Sequence, residues 1–262
     1  MVATTIQQQV DTADLEQKVK TMYRDVALEP EKEYHFEMGR PLAEKLGYNP
    51  DDLDHIPAAS IESFAGVGYF FDLAGIKEGE KILDLGSGSG MDAFIAALKT
   101  GRPGYVTGID MTDEQLEKAN RLVEDFNLNN ITFVKGKIEQ LDFEDATFDV
   151  VISNGVINLC PDKAKVFNEI ARVLKPETGR LALADIVSRE QLPENIVCNS
   201  TLWASCIGGA AQEDNYKILI EKPGMQVINI KRNTKYEFIS KSARGASDKY
   251  GVKSISLVAQ RL

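Results

Sequence analysis

The fold is decided by the stretch Asp84-Leu-Gly-Ser-Gly-Ser-Gly90 and by its two neighbours in the chain. The apolar run Lys81–Leu85 before it predicts a buried strand, and the stretch after it predicts a helix that ends at Gly101. Glycines in such a turn let the backbone approach a ligand closely, and the helix N-terminus offers unpaired N–H groups. The stretch therefore indicates a ligand-binding loop, although an ordinary tight turn in an α/β protein has the same appearance.

A carboxylate at the end of the next predicted strand favours the ligand-binding interpretation. Tyr105–Asp110 is that strand, and Asp110 lies where Rossmann-like folds place the carboxylate that holds ribose hydroxyls. Together, the loop and the carboxylate predict a nucleoside site. A nicotinamide oxidoreductase would show G-x-G-x-x-G, usually at the start of its domain, whereas this chain has G-x-G-x-G after a long preceding segment. The spacing disfavours that alternative.

Strand-like and helix-like segments alternate from Glu80 onward. Thr112-Asp-Glu-Gln115 fits a capping box at the start of one predicted helix. Such alternation predicts a parallel sheet with helices on both faces. The end of the chain differs, because two strand-like segments are separated there by a predicted loop or hairpin. The remaining predicted elements are strands at 131–135, 148–153, 180–185, 226–231 and 254–260 and a helix at 162–174.

The segment before the loop is predicted to be an extension. An apolar stripe predicts a helix over residues 12–28, with Asp11 or Thr12 as its cap, and prolines interrupt the chain after it. Residues 1–57 are too few to hold a core of their own. We expect them to form a helical lid over a catalytic domain at 58–262.

Composition limits the class of protein. The 262 residues carry a net charge of −10 with scattered basic residues, which disfavours a nucleic-acid partner. We find no membrane-spanning run and no secretory leader, so we expect no membrane partner. Three cysteines in such a chain suggest reduced thiols and a cytoplasmic protein.

The motifs resemble those of class I S-adenosylmethionine-dependent methyltransferases. The glycine loop is similar to that family's first motif and Asp110-Met111 to its second, while Lys137-Ile-Glu139 is similar to the segment beside the adenine. Asp149-Val-Val-Ile-Ser-Asn154 resembles the strand whose end faces the methyl donor. The resemblance implies a Rossmann-like, seven-stranded, mostly parallel sheet with an antiparallel last strand. It implies S-adenosyl-L-methionine as cofactor, bound by Asp84, Gly86, Ser87, Gly88, Asp110, Met111, Lys137, Ile138, Glu139 and Asn154.

Three further segments are similar to the arsenite methyltransferases, whose metalloid is held by three thiols. They are 109–116, 152–159 and 203–210. Val67 and Gly155 stand where that family has cysteine, and only Cys206 matches. Soft ligands such as As(III) are captured by several thiolates together. Cys160 or Cys198 would have to converge on Cys206 to replace the missing thiols.

Catalysis of methyl transfer requires alignment of donor and nucleophile and, for an amine, a base or a desolvated site. His35 is the better histidine candidate, with packing or capping as its alternative role. Asn154 and Tyr69 are the other catalytic candidates, and we predict no metal. The substrate candidates are Tyr34, Asn158, Asp185, Trp203 and Cys206.

The predicted function is therefore methyl transfer to a small organic molecule, with nitrogen preferred over oxygen as the acceptor. Arsenite methylation is the alternative within the same fold. A non-catalytic cofactor-binding protein is a third possibility, and the oligomeric state stays open.

Overall fold

The computed structural model describes residues 10–262, and in it helices flank a single sheet on both faces. The strands are β1 (Lys81–Leu85), β2 (Tyr105–Asp110), β3 (Ile131–Lys135), β4 (Val150–Asn154), β5 (Arg180–Ser188), β6 (Ala211–Gln212), β7 (Met225–Arg232) and β8 (Lys253–Arg261). The helices are α1 (Thr12–Leu28), α2 (Gly39–Leu46), α3 (Pro50–Asp54), α4 (Ala58–Glu62), α5 (Phe71–Ala74), α6 (Met91–Thr100), α7 (Asp113–Asp125), α8 (Lys163–Val173), α9 (Glu194–Val197), α10 (Ser200–Ala204), α11 (Glu213–Glu221) and α12 (Lys241–Tyr250).

The sheet has the order β3-β2-β1-β4-β5-β8-β7, and the two-residue β6 pairs with β5. Strands β1 to β5 are parallel, while β8 runs antiparallel to both of its neighbours. The α/β Rossmann-like class is confirmed, and β6 adds one short strand to the expected seven. The order reverses between β1 and β4, so a crevice opens at their carboxyl ends, where open α/β sheets bind ligands.

Side chains of β1 alternate between the two faces of the sheet. Ile82 packs into the core on one face, and Leu83 and Leu85 pack into the core on the other. Burying each such side chain contributes about 1.5–3 kcal/mol to folding. Because both faces are covered, the polar residues at strand ends are the ones that meet the crevice.

The chain between the last two long strands was predicted wrongly. A helix, α12, replaces the expected loop or hairpin. Its N-cap is Ser240, whose hydroxyl oxygen accepts from the Ala243 amide at 3.2 Å. The helix buries only the small side chains of Ala243 and Ala246, so its apolar stripe is too weak to identify from sequence.

Helix α1 forms where the apolar stripe predicts it, with Asp11 as its cap. It packs against α7 and α10 and buries Leu15, Val19 and Val26. The first nine residues of the predicted extension lie outside the described part of the chain, and the boundary at residue 57 stays a prediction. No helix in residues 10–262 is long and apolar enough to span a bilayer.

Candidate active site

A cavity of about 350 Å³ lies at the carboxyl ends of β1, β2 and β4. We call it the cofactor cavity. All ten residues predicted to bind the cofactor line it, although their role in binding stays a prediction. They converge because parallel strands end at the same edge of the sheet.

The glycine loop is held close to β2 by backbone hydrogen bonds. The amides of Gly86 and Ser87 both donate to the Ile109 carbonyl, at 2.8 and 3.0 Å. Gly86 has a φ of 68°, and a Cβ there would lie 2.4 Å from a methyl carbon of Val156. A side chain at position 86 would be strained by the positive φ and would collide with Val156, so the position requires glycine. The backbone of Gly86 therefore lines the cavity directly, where a ligand can approach it.

Asp110 organises the loop and faces the cofactor cavity. Its carboxylate accepts from the Gly88 amide and the Thr112 amide, both at 2.9 Å. Burial raises its pKa, and the hydrogen bonds, including one from the Thr112 hydroxyl, oppose that rise. A carboxylate has about four acceptor positions, so it keeps capacity for the hydroxyls of a ribose.

The capping box predicted at Thr112 is wrong. The Thr112 hydroxyl turns to Asp110 and makes no cap bond within α7. The Gln115 side chain is buried and bonds to two residues outside the helix. Thr112 and Gln115 therefore bond to residues outside α7 and do not form the local hydrogen bonds of a capping box.

Two more carboxyl groups, Asp84 and Asp92, are buried beside the loop. Burial raises the pKa of Asp92 to about 6. Burial, with Asp92 and Asp110 nearby, raises the pKa of Asp84 well above its usual value. One oxygen of Asp84 has no hydrogen-bond partner among the described residues, and no described lysine or arginine forms a salt bridge with Asp84, Asp92 or Asp110. No basic side chain of the described residues neutralises these carboxyl groups, so a cation bound in the cavity would favour their ionised forms.

Asn154 is the centre of a buried hydrogen-bond cluster. Its amide nitrogen donates to Asp92, Tyr48 and the Gly68 carbonyl, each at 3.0 Å. Its oxygen accepts from the Val67 amide at 2.8 Å. The side chain is thus committed to holding the 66–68 segment, and it lines the cavity beside that segment.

The far end of the cofactor cavity is lined by the segment predicted to lie beside an adenine. Ile138 is buried there, and Glu139 Oε1 lies 3.0 Å from the Cys160 thiol. Lys137 forms an ion pair of 2.7 Å with Glu16 of α1. That ion pair joins the helix to the rim of the cavity.

Helix α1 closes one side of the cofactor cavity. The sequence predicted a helical lid from this segment, but it did not indicate which side chains of the helix would line the cavity. Other lining residues outside the predicted set come from the segment after α4 and from the start of α6. The lining residues of α1 are Thr12, Leu15, Glu16, Val19 and Tyr23, and the others include Ser63, Phe64, Ala65, Gly66 and Asp92.

A second cavity of only about 10 Å³, with room for about one water molecule, adjoins the first, and Tyr23 and Ala65 line both. We call it the acceptor cavity. Five of its twelve lining residues carry aromatic rings, and His35 is one of these five. The other lining residues are Phe36, Val67, Ser205, Cys206, Tyr236, Glu237, Phe238, Ile239 and Ala243.

His35 presents an unused ring nitrogen in this region. Its Nε2 is buried and has no hydrogen-bond partner within residues 10–262. The ring packs edge-on against Phe36, with centroids 4.6 Å apart. Burial lowers its pKa below 6.5, so the imidazole is neutral at pH 7.

The two positions where the resemblance expects cysteine lie beside each other. A Cβ on Gly155 would lie 3.2 Å from Cγ1 of Val67. Val67 and Cys206 line the same acceptor cavity. Burial and the nearby Asp185 raise the pKa of Cys206 to about 12, so its thiol stays protonated. Cys160 contacts Glu139 at the other end of the cofactor cavity.

Three predicted substrate residues lie behind the cavities. Asn158 is fully buried and donates to Asp185 at 2.6 Å, and Asp185 also accepts from the Tyr216 hydroxyl at 2.5 Å. Trp203 is buried beneath the Lys163 ammonium, 4.8 Å from the ring centroid. The structure gives these three residues internal contacts and places none of them in the lining of either cavity, and Asn158 Oδ1 has no hydrogen-bond partner among the described residues.

Tyr69 and Tyr34 lie outside both cavities. Tyr69 packs edge-on against Tyr48 with centroids 5.0 Å apart, and Lys231 lies over its ring. Tyr34 donates to the Glu29 carbonyl at 3.0 Å on the outer side of the lid. The structure therefore brings neither phenol to the site. Among the described residues there is no cluster of three or more histidine, cysteine or carboxylate ligands that would hold a metal ion.

Residues 76–224 match the model of a methyltransferase domain family. The chain is 37% identical over 199 residues to an arsenite methyltransferase of Halobacterium salinarum, an alignment that covers 76% of this chain and 50% of that protein. The chain thus spans about half the length of the curated arsenite methyltransferases it matches.

Two solved methyltransferase structures are similar to this chain. An arsenic (III) S-adenosylmethionine methyltransferase from Chlamydomonas reinhardtii is similar with a TM-score of 0.68 and 34% identity, covering 80% of this chain and 71% of that one. A geranyl diphosphate C-methyltransferase from Streptomyces coelicolor shares the fold with a TM-score of 0.70 at 16% identity, covering 97% of this chain and all of that one.

Proposed function

The chain belongs to the class I S-adenosylmethionine-dependent methyltransferases, and on that premise we propose that it methylates a small organic acceptor, preferably at nitrogen. The observation that carries the proposal is the neutral His35, whose Nε2 has no hydrogen-bond partner among the described residues, beside an acceptor cavity that shares a wall with the cofactor cavity.

The donor is S-adenosyl-L-methionine, which supplies a methyl group already activated on a sulfonium. The residues of the cofactor cavity fit this cation. Asp84 and Asp92 have raised pKa values and no basic partner in the described chain, so a bound cation would favour their ionised forms, and Asp110 offers a carboxylate for the ribose. We assign Met111, Ile138 and Glu139 to the adenine.

The acceptor would bind where Tyr23 and Ala65 separate the two cavities. Because the acceptor cavity has room for only about one water molecule, its side chains must move apart to admit an organic molecule. Aromatic rings there exclude water and favour an organic molecule with cationic character. A protonated amine cannot attack, so it must lose a proton first. Neutral His35, with its free Nε2, is the group in this cavity suited to accept that proton.

Arsenite is the second candidate acceptor, and the relatives favour it. Position 155 lies beside position 67, and positions 67 and 206 line the acceptor cavity, but only Cys206 carries a thiol. With its pKa raised to about 12, that thiol is a weak metalloid ligand at neutral pH. These residues therefore favour the organic acceptor over the metalloid.

The test is a turnover assay with labelled S-adenosylmethionine against amines, hydroxyl compounds and arsenite with added thiol. We expect turnover of an amine that falls in His35→Ala and persists in Cys206→Ser. Arsenite turnover that is lost in Cys206→Ser would replace the organic acceptor with arsenite. Turnover of hydroxyl compounds alone would overturn the preference for nitrogen.

A further inference from the structure

Gln115 connects the glycine loop to the lid helix through a single side-chain amide. Its Oε1 accepts from the Ser89 hydroxyl at 2.5 Å, and its Nε2 donates to the Tyr23 carbonyl at 2.8 Å. Both Gln115 and Ser89 are buried, at 1% and 4% exposure. A Cβ on Gly88 would lie 3.7 Å from the same Gln115 oxygen. The amide therefore touches the loop that faces the cofactor.

Tyr23, at the other end of this connection, belongs to both cavities. Its ring stacks on Phe36 with centroids 6.5 Å apart, next to His35. Burial and the nearby Cys206 and Tyr236 raise the pKa of its phenol, which stays neutral. A shift of the Tyr23 backbone would thus move the wall between donor and acceptor.

An amide is required for this double contact. The Tyr23 carbonyl accepts a hydrogen bond and the Ser89 hydroxyl donates one, and a primary amide provides the matching donor and acceptor in one planar group. The local alternative for Gln115 would be the capping box at the start of α7, which the structure does not form. The Gln115 side chain therefore links the glycine loop to α1 instead of capping α7.

We propose that Gln115 is a positioning residue that transmits cofactor binding at the glycine loop to Tyr23 and so sets the wall of the acceptor cavity. This inference rests on the proposed function, because it takes the first cavity as the cofactor site. When the loop is fixed by ligand, Ser89 fixes the amide, and the amide fixes the backbone of α1 at Tyr23.

The experiment is hydrogen–deuterium exchange of the full chain with and without S-adenosylhomocysteine, whose binding is measured separately by calorimetry. In wild type, the nucleoside should slow exchange both in the glycine loop and in α1 around Tyr23. In Gln115→Met the loop should still be protected, while the added protection of α1 should fall by roughly five- to tenfold, as expected for one lost buried hydrogen bond. Glu117→Met, an exposed position on the same helix, is the control and should behave as wild type.

Ser89→Ala provides a second variant, since it breaks only the loop side of the connection. Loss of α1 protection in both variants, or in Ser89→Ala alone if Gln115→Met does not fold, with nucleoside binding retained, supports the coupling. Wild-type protection of α1 in Ser89→Ala overturns it, even if Gln115→Met fails to fold. If the wild-type protein binds no S-adenosylhomocysteine, the proposed function itself is contradicted. If it binds the nucleoside but α1 gains no protection, only the coupling through Gln115 is contradicted.

Discussion

Asn154 at the end of β4 donates a hydrogen bond of 3.0 Å to Asp92 in the first turn of α6. The same amide holds the backbone of Val67 and Gly68, and Tyr48 donates to Asp92 at 2.6 Å. The helix behind the glycine loop and a segment that reaches the acceptor cavity are therefore joined through one buried carboxyl group.

This arrangement predicts a pH-dependent cofactor affinity. Burial raises the pKa of Asp92 to about 6 in the ligand-free protein, and a cationic ligand favours the ionised carboxylate. S-adenosylmethionine should bind more tightly as pH rises from 5 to 7 and should release protons near pH 6. Calorimetry in buffers of different ionisation enthalpy measures both effects. Asp92→Asn should bind more weakly with a flatter pH dependence, and an unchanged profile in this variant would contradict the prediction.

The same raised pKa has a consequence for stability. Since the pKa of Asp92 in the folded protein exceeds the ordinary aspartate value of 3.8, its contribution to stability is present below pH 3.8 and is lost as pH rises through about 6. We expect the midpoint of thermal unfolding of the ligand-free protein to drop less over that range in Asp92→Asn. An identical drop in both proteins would argue against this origin.

Asp110→Asn should weaken cofactor binding by roughly 10- to 100-fold, because hydrogen bonds to a charged group contribute about 1.5–3 kcal/mol. The variant keeps the shape of the side chain but loses acceptor capacity toward the Gly88 amide and a ribose. Titration with S-adenosylhomocysteine measures the change. Asp113→Asn is the control, since that exposed carboxylate pairs only with Lys135 at the surface and should have wild-type affinity.

The strands and the cofactor cavity were largely predictable from the sequence, because both depend on local signals. Lys81–Leu85, Tyr105–Asp110 and Ile131–Lys135 have the predicted bounds, and apolar runs between turns define them. Parallel strands then bring their carboxyl ends together without further information. The residue types in the loop and at Asp110 therefore suffice to locate the cavity.

The acceptor cavity was less predictable, because it depends on long-range packing. Tyr23 enters through the docking of α1, and Tyr236 and Phe238 enter from the chain before α12. Gln115 shows the same limit, since its local pattern fits a capping box but its tertiary partners are Ser89 and Tyr23. Tyr69 lies near the loop in sequence, yet its ring packs on Tyr48 away from both cavities.

Val67→Cys should increase arsenite binding at least about tenfold over wild type, because a second thiol in the cavity of Cys206 makes capture bidentate. Equilibrium dialysis with arsenite measures it, and Val67→Ala is the matched control. Combining Val67→Cys with Cys206→Ser should remove the gain. Gly155→Cys is the poorer route, since its φ of 73° costs a non-glycine residue about 1–2 kcal/mol. Equal binding by wild type and Val67→Cys would show that these positions do not share a ligand.

His35 should give the reaction a requirement for a neutral imidazole. Its pKa lies below 6.5 because the ring is buried, so the wild-type rate with saturating amine should be flat near neutrality and should fall on acidification below pH 6.5. His35→Ala should lower the rate by about 10²- to 10⁴-fold, the usual contribution of a general base.

Added imidazole separates a chemical role of His35 from a packing role. The His35→Ala variant opens space beside Phe36, and free imidazole in that space would present a ring nitrogen where Nε2 lay. Partial recovery of the rate that increases with the neutral fraction of imidazole would support proton transfer at this position. His55→Ala is the matched control, because His55 is exposed and bonds only to the Asp51 carbonyl. Full activity of His35→Ala without imidazole would assign His35 to packing, and the amine would then be deprotonated by another group or bind neutral.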